Sequence, residues 1–156
     1  MDHSTAETAS SLLHAFLDAR YAVFLPEGTI ELHIGEVFMP SLAPASACWP
    51  LLTAHNPRAI PRTGAENAAA QARLLARLHA AGHHCWRGRN SDPHGGHAED
   101  SIFTLGIDLS TADALAREFE QCALLGGRIG EPVRLRCLRE FWPGAIVDTP
   151  FVDWVA

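Results

Sequence analysis

The strongest constraint on the fold is a helix predicted over residues 63–82. Thr63 has the residue type of an N-cap, and Glu66 follows at the capping-box spacing. Gly82 is suited to end the helix. At 3.6 residues per turn, Leu74 and Leu78 share one side, and this apolar side must pack against another element. A helix with one apolar side predicts a globular domain in which helices cover a sheet.

Two amide side chains interrupt that apolar side. Asn67 and Gln71 lie one turn apart on the face that also carries the leucines. A buried amide needs hydrogen-bond partners, so we expect polar groups to meet the helix there. These groups belong either to a ligand or to the loop of residues 56–63, which Asn67 would fix through the backbone. The residues predicted on the apolar side are Leu74, Leu75, Leu78, Ala68 and Ala72.

The rest of the chain predicts one domain over residues 1–156. Capping-box spacing at residues 4–7 begins a first helix that ends near Arg20, and Ser110 with Asp113 opens another. A Gly-, Pro- and His-rich stretch at 88–98 predicts a loop. We expect an α+β fold with a mixed or mainly antiparallel sheet and two to three packed helices. The predicted strands span 21–25, 29–34, 48–54, 84–87, 101–107, 122–125 and 133–139.

Composition argues against several classes of partner. The 12 basic residues are all arginine and face 18 acidic residues, giving a net charge of −6. A broad nucleic-acid-binding surface is therefore not expected. No apolar run has the length of a membrane span, and no basic and apolar leader is evident, so we expect no membrane partner. Four scattered cysteines indicate reduced thiols and a cytoplasmic protein.

Polar side chains recur where predicted strands end or helices begin, which is where such domains often build sites. Arg58 and Arg62 border the turn after Asn56, where guanidinium groups would bind a phosphate or carboxylate bidentately. The pattern predicts a site for a small polar or anionic molecule, such as a metabolite or nucleotide-like ligand. The predicted ligand-binding residues are Asn56, Arg58, Arg62, Asn67, Gln71 and Ser101.

A hydrolase is the alternative. Glu99 would share a strand face with Ser101 and serve as general base. His94, His97 and His55 would supply ligands to a catalytic zinc with one open position. Their spacing matches no established metal motif, so the sequence defines no cofactor.

A structural or protein-interaction module is the third hypothesis. Arg134 and Arg136 alternate with apolar residues in the last predicted strand. If that strand lay at the edge of the sheet, it would offer a surface for a homodimer.

The order of four short segments resembles an uncharacterised bacterial family, DUF3293. The resemblance covers about residues 20–126 and leaves a C-terminal strand and an aromatic tail at 127–156 outside it. It implies a shared fold and brings no activity with it. One departure is His97, which stands where the family has an aromatic residue. The segments are Leu52-Thr53-Ala54-His55-Asn56-Pro57, Glu66-Asn67 with Gln71, Glu99-Asp100-Ser101, and Phe119-Glu120-Gln121-Cys122-Ala123, with an echo at Ile34-Gly35.

Overall fold

The computed structural model describes residues 3–144 and 146–156, with side chains from residue 9 onward. This part of the chain holds three α-helices and eight strands. The helices are α1 (His3–Asp18), α2 (Gly64–Ala80) and α3 (Leu109–Glu118). The strands are β1 (Arg20–Leu25), β2 (Gly28–Leu32), β3 (Cys48–Leu52), β4 (Cys85–Ser91), β5 (Glu99–Thr104), β6 (Ala123–Arg128), β7 (Arg134–Leu138) and β8 (Val152–Val155).

All eight strands form one curled sheet in the order β2-β1-β4-β5-β3-β6-β7-β8. Every neighbouring pair is antiparallel except β7 and β8, which run parallel. The predicted α+β class, with a single domain and a mixed, mainly antiparallel sheet, is confirmed.

The sheet separates two apolar cores. Successive residues of a strand point to opposite faces, so Leu51 and Leu52 contribute to different cores. One core contains Trp49 and Phe103 and is covered by α1. The other lies beneath α2 and α3 and contains Leu74. Both faces of the sheet are therefore covered by helices.

Helix α2 begins as the sequence predicts. The Thr63 hydroxyl accepts a hydrogen bond from the Glu66 N–H at 3.1 Å, and the Glu66 carboxylate accepts one from the Thr63 N–H at 3.4 Å. The buried arc of α2 is narrower than predicted, however, because Ala68 and Ala72 are exposed. They lie roughly 100° and 140° around the helix axis from Asn67, outside the line that meets the sheet.

Strand β4 is longer than predicted, and residues 88–91 of the expected loop belong to it. Asn90 pairs with Tyr21 of β1 and with Glu99 of β5. Two neighbouring strands thus fix a backbone whose own sequence, rich in Gly and polar residues, indicates a loop. The loop proper comprises residues 92–98.

The predicted start of α3 is wrong. Asp108 occupies the N-cap position, and the helix begins at Leu109 instead of being opened by Ser110. Asp113 caps nothing; it is 2% exposed and forms an ion pair with Arg136 of β7. The capping-box prediction for α1 concerns side chains at residues 4–7, which lie outside the described ones.

The edge position predicted for the arginine-bearing strand is also wrong. β7 lies between β6 and β8, so its backbone groups are paired on both sides. Arg134 contacts Asp153 of β8 at 2.9 Å, and Arg136 contacts Asp113 at 2.7 Å. The predicted tail supplies β8 and packs Trp154 against Trp142, with ring centroids 5.4 Å apart. The surface suggested for a homodimer is therefore not an open edge.

Candidate functional site

A cavity of about 320 Å³ lies between α1 and the sheet face that carries the Trp49 core. This volume is at the lower end of the range for small-molecule sites. Much of its wall is aliphatic or aromatic. The apolar wall includes Leu12, Ala15, Phe16, Leu51, Leu125 and Leu135.

The remaining wall is polar and comes from the ends of the central strands and the loops beside them. Tyr21, Asn90 and Glu99 are directly opposed residues on three neighbouring strands, so their side chains form a row on one face. The polar wall, hereafter the polar rim, consists of Thr53, His55, Asn56, Asn90, Ser91, Asp92, His97, Glu99 and Gln121. The cavity is therefore amphipathic.

Glu99 is half-buried in the polar rim. As predicted, it shares its face with buried Ser101, whereas Asp100 is exposed on the other face. Its Oε1 accepts a hydrogen bond from Asn56 Nδ2 at 3.1 Å. Burial raises the pKa of Glu99, and the hydrogen bond from Asn56 opposes this increase. The carboxyl group thus protonates more readily than an exposed glutamate.

Two other groups of the polar rim carry shielded atoms without hydrogen-bond partners in the described part of the chain. These atoms are His55 Nε2 and Asn90 Oδ1. Burial lowers the pKa of His55, an effect that the charge of Asp100 opposes, so the neutral imidazole is favoured. Buried polar atoms are normally paired, so these two atoms are candidate hydrogen-bond partners for a molecule bound in the cavity.

Three amide side chains hold the loop that carries His55 and Asn56, and one of them, Gln121, also lines the cavity. Gln71 Oε1 accepts a hydrogen bond from the Ala54 N–H at 2.9 Å, and Gln121 Nε2 donates to the His55 carbonyl at 3.0 Å. Asn67 Oδ1 accepts from the Asn56 N–H at 2.9 Å. Asn67 and Gln71 therefore meet protein backbone and do not line the cavity.

Asn56 connects the start of α2 to the polar rim. Its backbone is left-handed, with φ 48°, a conformation that asparagine tolerates better than most residues. Its Oδ1 accepts from Asn67 Nδ2 and from the Arg62 N–H, both at 2.9 Å, while its Nδ2 reaches Glu99. The start of α2 thus positions the Glu99 carboxyl through one asparagine.

The two arginines expected to bind an anion lie elsewhere. Arg58 pairs with Glu120 at 2.8 Å, and Arg62 approaches Glu66 at 3.7 Å, both with exposed side chains. None of the described residues that line the cavity is an arginine, and the chain contains no lysine. The sequence-predicted anion partners are therefore not brought to the cavity.

Of the three predicted metal ligands, His55 and His97 line the cavity beside Glu99, but His94 is exposed in the 92–98 loop. Asp92 organises this loop by accepting hydrogen bonds from the N–H groups of His94 and Gly96, both at 2.9 Å. Among the side chains of residues 9–144 and 146–156, no three His, Cys, Asp or Glu side chains are gathered as a metal site.

Ser101 is 2% exposed and lies outside the cavity wall. It packs against Gly88, its partner on β4, so this predicted ligand-binding residue is not brought to the cavity.

Several residues of the cavity were not predicted from the sequence. Asn90 lies in a segment whose sequence predicts a loop. The part of the apolar wall that α1 supplies depends on how that helix packs against the sheet. Gln121 belongs to one of the four segments singled out above, so a signal was present but its contact with the His55 carbonyl was not apparent.

The fold and the cavity define a single-domain α+β protein with an amphipathic cavity between one helix and its sheet. Residues 52–124 match the model of a family described as "Protein of unknown function (DUF3293)". The resemblance predicted from the sequence is thereby confirmed over this segment, which contains Asn56, Asn67 and Glu99. No curated protein and no solved structure matches the chain. None of the described helices is both long and apolar enough to span a lipid bilayer.

Proposed function

We propose that this protein binds a small amphipathic molecule in the cavity between α1 and the sheet. The observation that carries the proposal is the combination, in one cavity, of an apolar wall with a polar rim that holds unpartnered His55 and Asn90 atoms.

The apolar wall supplies affinity, and the polar rim supplies orientation. Transfer of apolar ligand surface from water contributes about 25 cal/mol per Å². Small-molecule sites typically combine such walls with a few polar groups that fix the bound orientation. A wholly polar or anionic ligand fits less well, because Arg58 and Arg62 lie outside the cavity and pair with acidic residues.

Helix α1 closes the cavity on one side and is tied to the sheet near its C-terminal end. The Tyr21 hydroxyl donates a hydrogen bond to the Phe16 carbonyl at 2.5 Å. Phe16 also packs against Trp142, with centroids 5.8 Å apart. These contacts hold the apolar wall in place and support a preformed site, which reduces the entropic cost of binding.

The test uses the fluorescent neutral probe N-phenyl-1-naphthylamine. Ala15 lines the cavity on α1, so Ala15→Phe introduces a large side chain at its wall. Ala72→Phe makes the same chemical change on the exposed side of α2 and serves as the control.

We expect the wild-type protein and Ala72→Phe to bind the probe equally well. Ala15→Phe is expected to weaken binding by about tenfold or more, equivalent to about 1.4 kcal/mol. Equal binding by all three proteins, or no binding by the wild type, would overturn the proposal.

A further inference from the structure

We propose that the ligand carries a protonated amino group, which donates hydrogen bonds to Glu99 and Asn90 in the polar rim. This inference rests on the proposed binding function and names the chemical class of the ligand's polar end.

The first support is a count of hydrogen-bonding groups. The side-chain amides of Asn56 and Gln121 already donate to Glu99 Oε1 and to the His55 carbonyl, respectively. Two acceptors of the polar rim remain without a partner in the part of the chain that the structure describes: Asn90 Oδ1 and Glu99 Oε2. An ammonium group has three donors and no acceptor, and so complements such a rim.

His55 agrees with this count. Its Nε2 is shielded and without a partner among the described residues. In the tautomer that carries its proton on Nδ1, the neutral ring offers Nε2 as a further acceptor.

The second support is charge. Glu99 and Asp92 both belong to the cavity wall, while none of its described residues is an arginine. Two carboxyl groups without a neighbouring guanidinium disfavour an anion and attract a cation. A ligand carboxylate would meet acceptors and negative charge together.

The third support is placement. Asn90 and Glu99 are a directly opposed pair on β4 and β5. The Cβ atoms of such pairs are about 4.5–5.5 Å apart, so a single ammonium nitrogen is able to reach both side chains. The apolar wall then receives the hydrocarbon part of the molecule.

Ionisation of Glu99 links binding to pH. The groups that face this carboxyl are Asn90 on β4, Tyr21 on β1 and Asn56. Three further titratable residues line the cavity: His55, His97 and Asp92. Burial holds the pKa of Glu99 above its ordinary range. Affinity for an amine should therefore rise as the pH increases through the titration of Glu99.

The experiment compares three molecules with the same hydrocarbon chain: n-hexylamine, hexan-1-ol and hexanoate. Each is titrated against the wild-type protein, Glu99→Gln and Glu131→Gln near neutral pH, with displacement of N-phenyl-1-naphthylamine as the readout. Glu131 is exposed and outside the cavity wall, so its variant is the matched control.

We expect the wild type to bind hexylamine about tenfold or more tightly than hexan-1-ol, and hexanoate most weakly. Glu99→Gln should lose this preference for the amine while keeping its affinity for the alcohol, and Glu131→Gln should behave as the wild type. The inference would be overturned if the wild type bound hexan-1-ol or hexanoate as tightly as hexylamine or more tightly, or if Glu99→Gln kept the preference for the amine. The proposed binding function would stand in either case. If neither the probe nor any of the three molecules binds, the proposed function itself fails.

Discussion

Asn67 and Asn56 hold each other through two hydrogen bonds, each 2.9 Å long. Asn67 Oδ1 accepts from the Asn56 backbone N–H, and Asn67 Nδ2 donates to Asn56 Oδ1. Asn56 in turn donates to Glu99. The first turn of α2 is thereby connected to the polar rim without contributing a side chain to it.

Replacing Asn67 by alanine should destabilise the protein. The change leaves the Asn56 N–H without its acceptor and removes one of the two donors to Asn56 Oδ1, in a region where Asn67 is 8% exposed. The expected loss is about 2–4 kcal/mol of the free energy of unfolding, measured by urea denaturation. Asn90→Ala is the matched control: its Oδ1 has no partner among the described residues, so the change should cost less than about 1 kcal/mol.

Ligand binding separates the two variants further. Asn90→Ala should weaken amine binding in a folded protein, whereas Asn67→Ala should act mainly on stability. Full stability of Asn67→Ala together with abolished binding would contradict the supporting role of Asn67 and make it a direct contact of the ligand.

Arg136→Met should be strongly destabilising. Asp113 is 2% exposed, and its two carboxylate oxygens accept hydrogen bonds from Arg136 at 2.8 and 2.7 Å. Removing one member of a buried pair leaves an uncompensated charge and costs about 3–5 kcal/mol. Thermal or chemical denaturation measures the loss.

Arg134→Met provides the comparison on the same strand. The Arg134 side chain is 41% exposed and pairs with Asp153, so its loss should cost about 1 kcal/mol or less. The double replacement Asp113→Leu with Arg136→Met should recover much of the stability lost in the single variant. Equal losses for the two arginines would contradict the assignment of Arg136 to a buried pair.

Gly88→Ala should destabilise the junction of β1, β4 and β5. A Cβ at this position would lie 2.5 Å from Ser101 Oγ and 2.8 Å from the Ala22 carbonyl oxygen. Overpacking of this kind costs about 1–3 kcal/mol. Gly64→Ala in α2 is the control, because a Cβ there meets no atom within 4 Å and alanine favours helix; it should be neutral or stabilise by up to about 1 kcal/mol. A Gly88→Ala variant as stable as the wild type would show that β4 and β5 are less closely packed than described.

The pH dependence of stability should change in Glu99→Gln. Burial raises the pKa of Glu99 in the folded state, so its contribution to stability is complete below the unfolded-state pKa and is lost as the pH rises through the folded-state pKa. Glutamine resembles the protonated form at every pH. The variant should therefore match the wild type near pH 4 and gain stability relative to it towards pH 7, as measured by denaturation across about pH 4–8. Glu131→Gln is the control. If the stability gained by Glu99→Gln over the wild type became smaller as the pH rises, the direction of the pKa shift would be contradicted.

The sequence predicted what local patterns determine. The Thr63–Glu66 capping box and the alternation of apolar residues with Arg134 and Arg136 depend on neighbours close in the chain, and both are confirmed. The sequence predicts the buried amide of Asn67, but its hydrogen-bond partner, Asn56 in the loop before α2, depends on the fold.

Features that depend on distant residues were missed. Asn90 lies in a strand only because β1 and β5 flank it, and Asp113 resembles a helix-capping residue until β7 brings Arg136 to it. The cavity itself arises where α1 docks on the sheet, and no local pattern in α1 indicates which strands it meets.

The most direct test of the central claim is the position of the bound molecule, measured by methyl NMR on protein labelled at leucine and titrated with n-hexylamine. Leu51, Leu125 and Leu135 line the cavity, whereas Leu74 and Leu78 lie on the opposite face of the sheet and serve as internal controls. We predict saturable chemical-shift changes for the methyl groups of Leu51, Leu125 and Leu135, and none for those of Leu74 and Leu78. Shifts confined to Leu74 and Leu78, or no saturable shift at any of the five, would contradict a ligand site between α1 and the sheet.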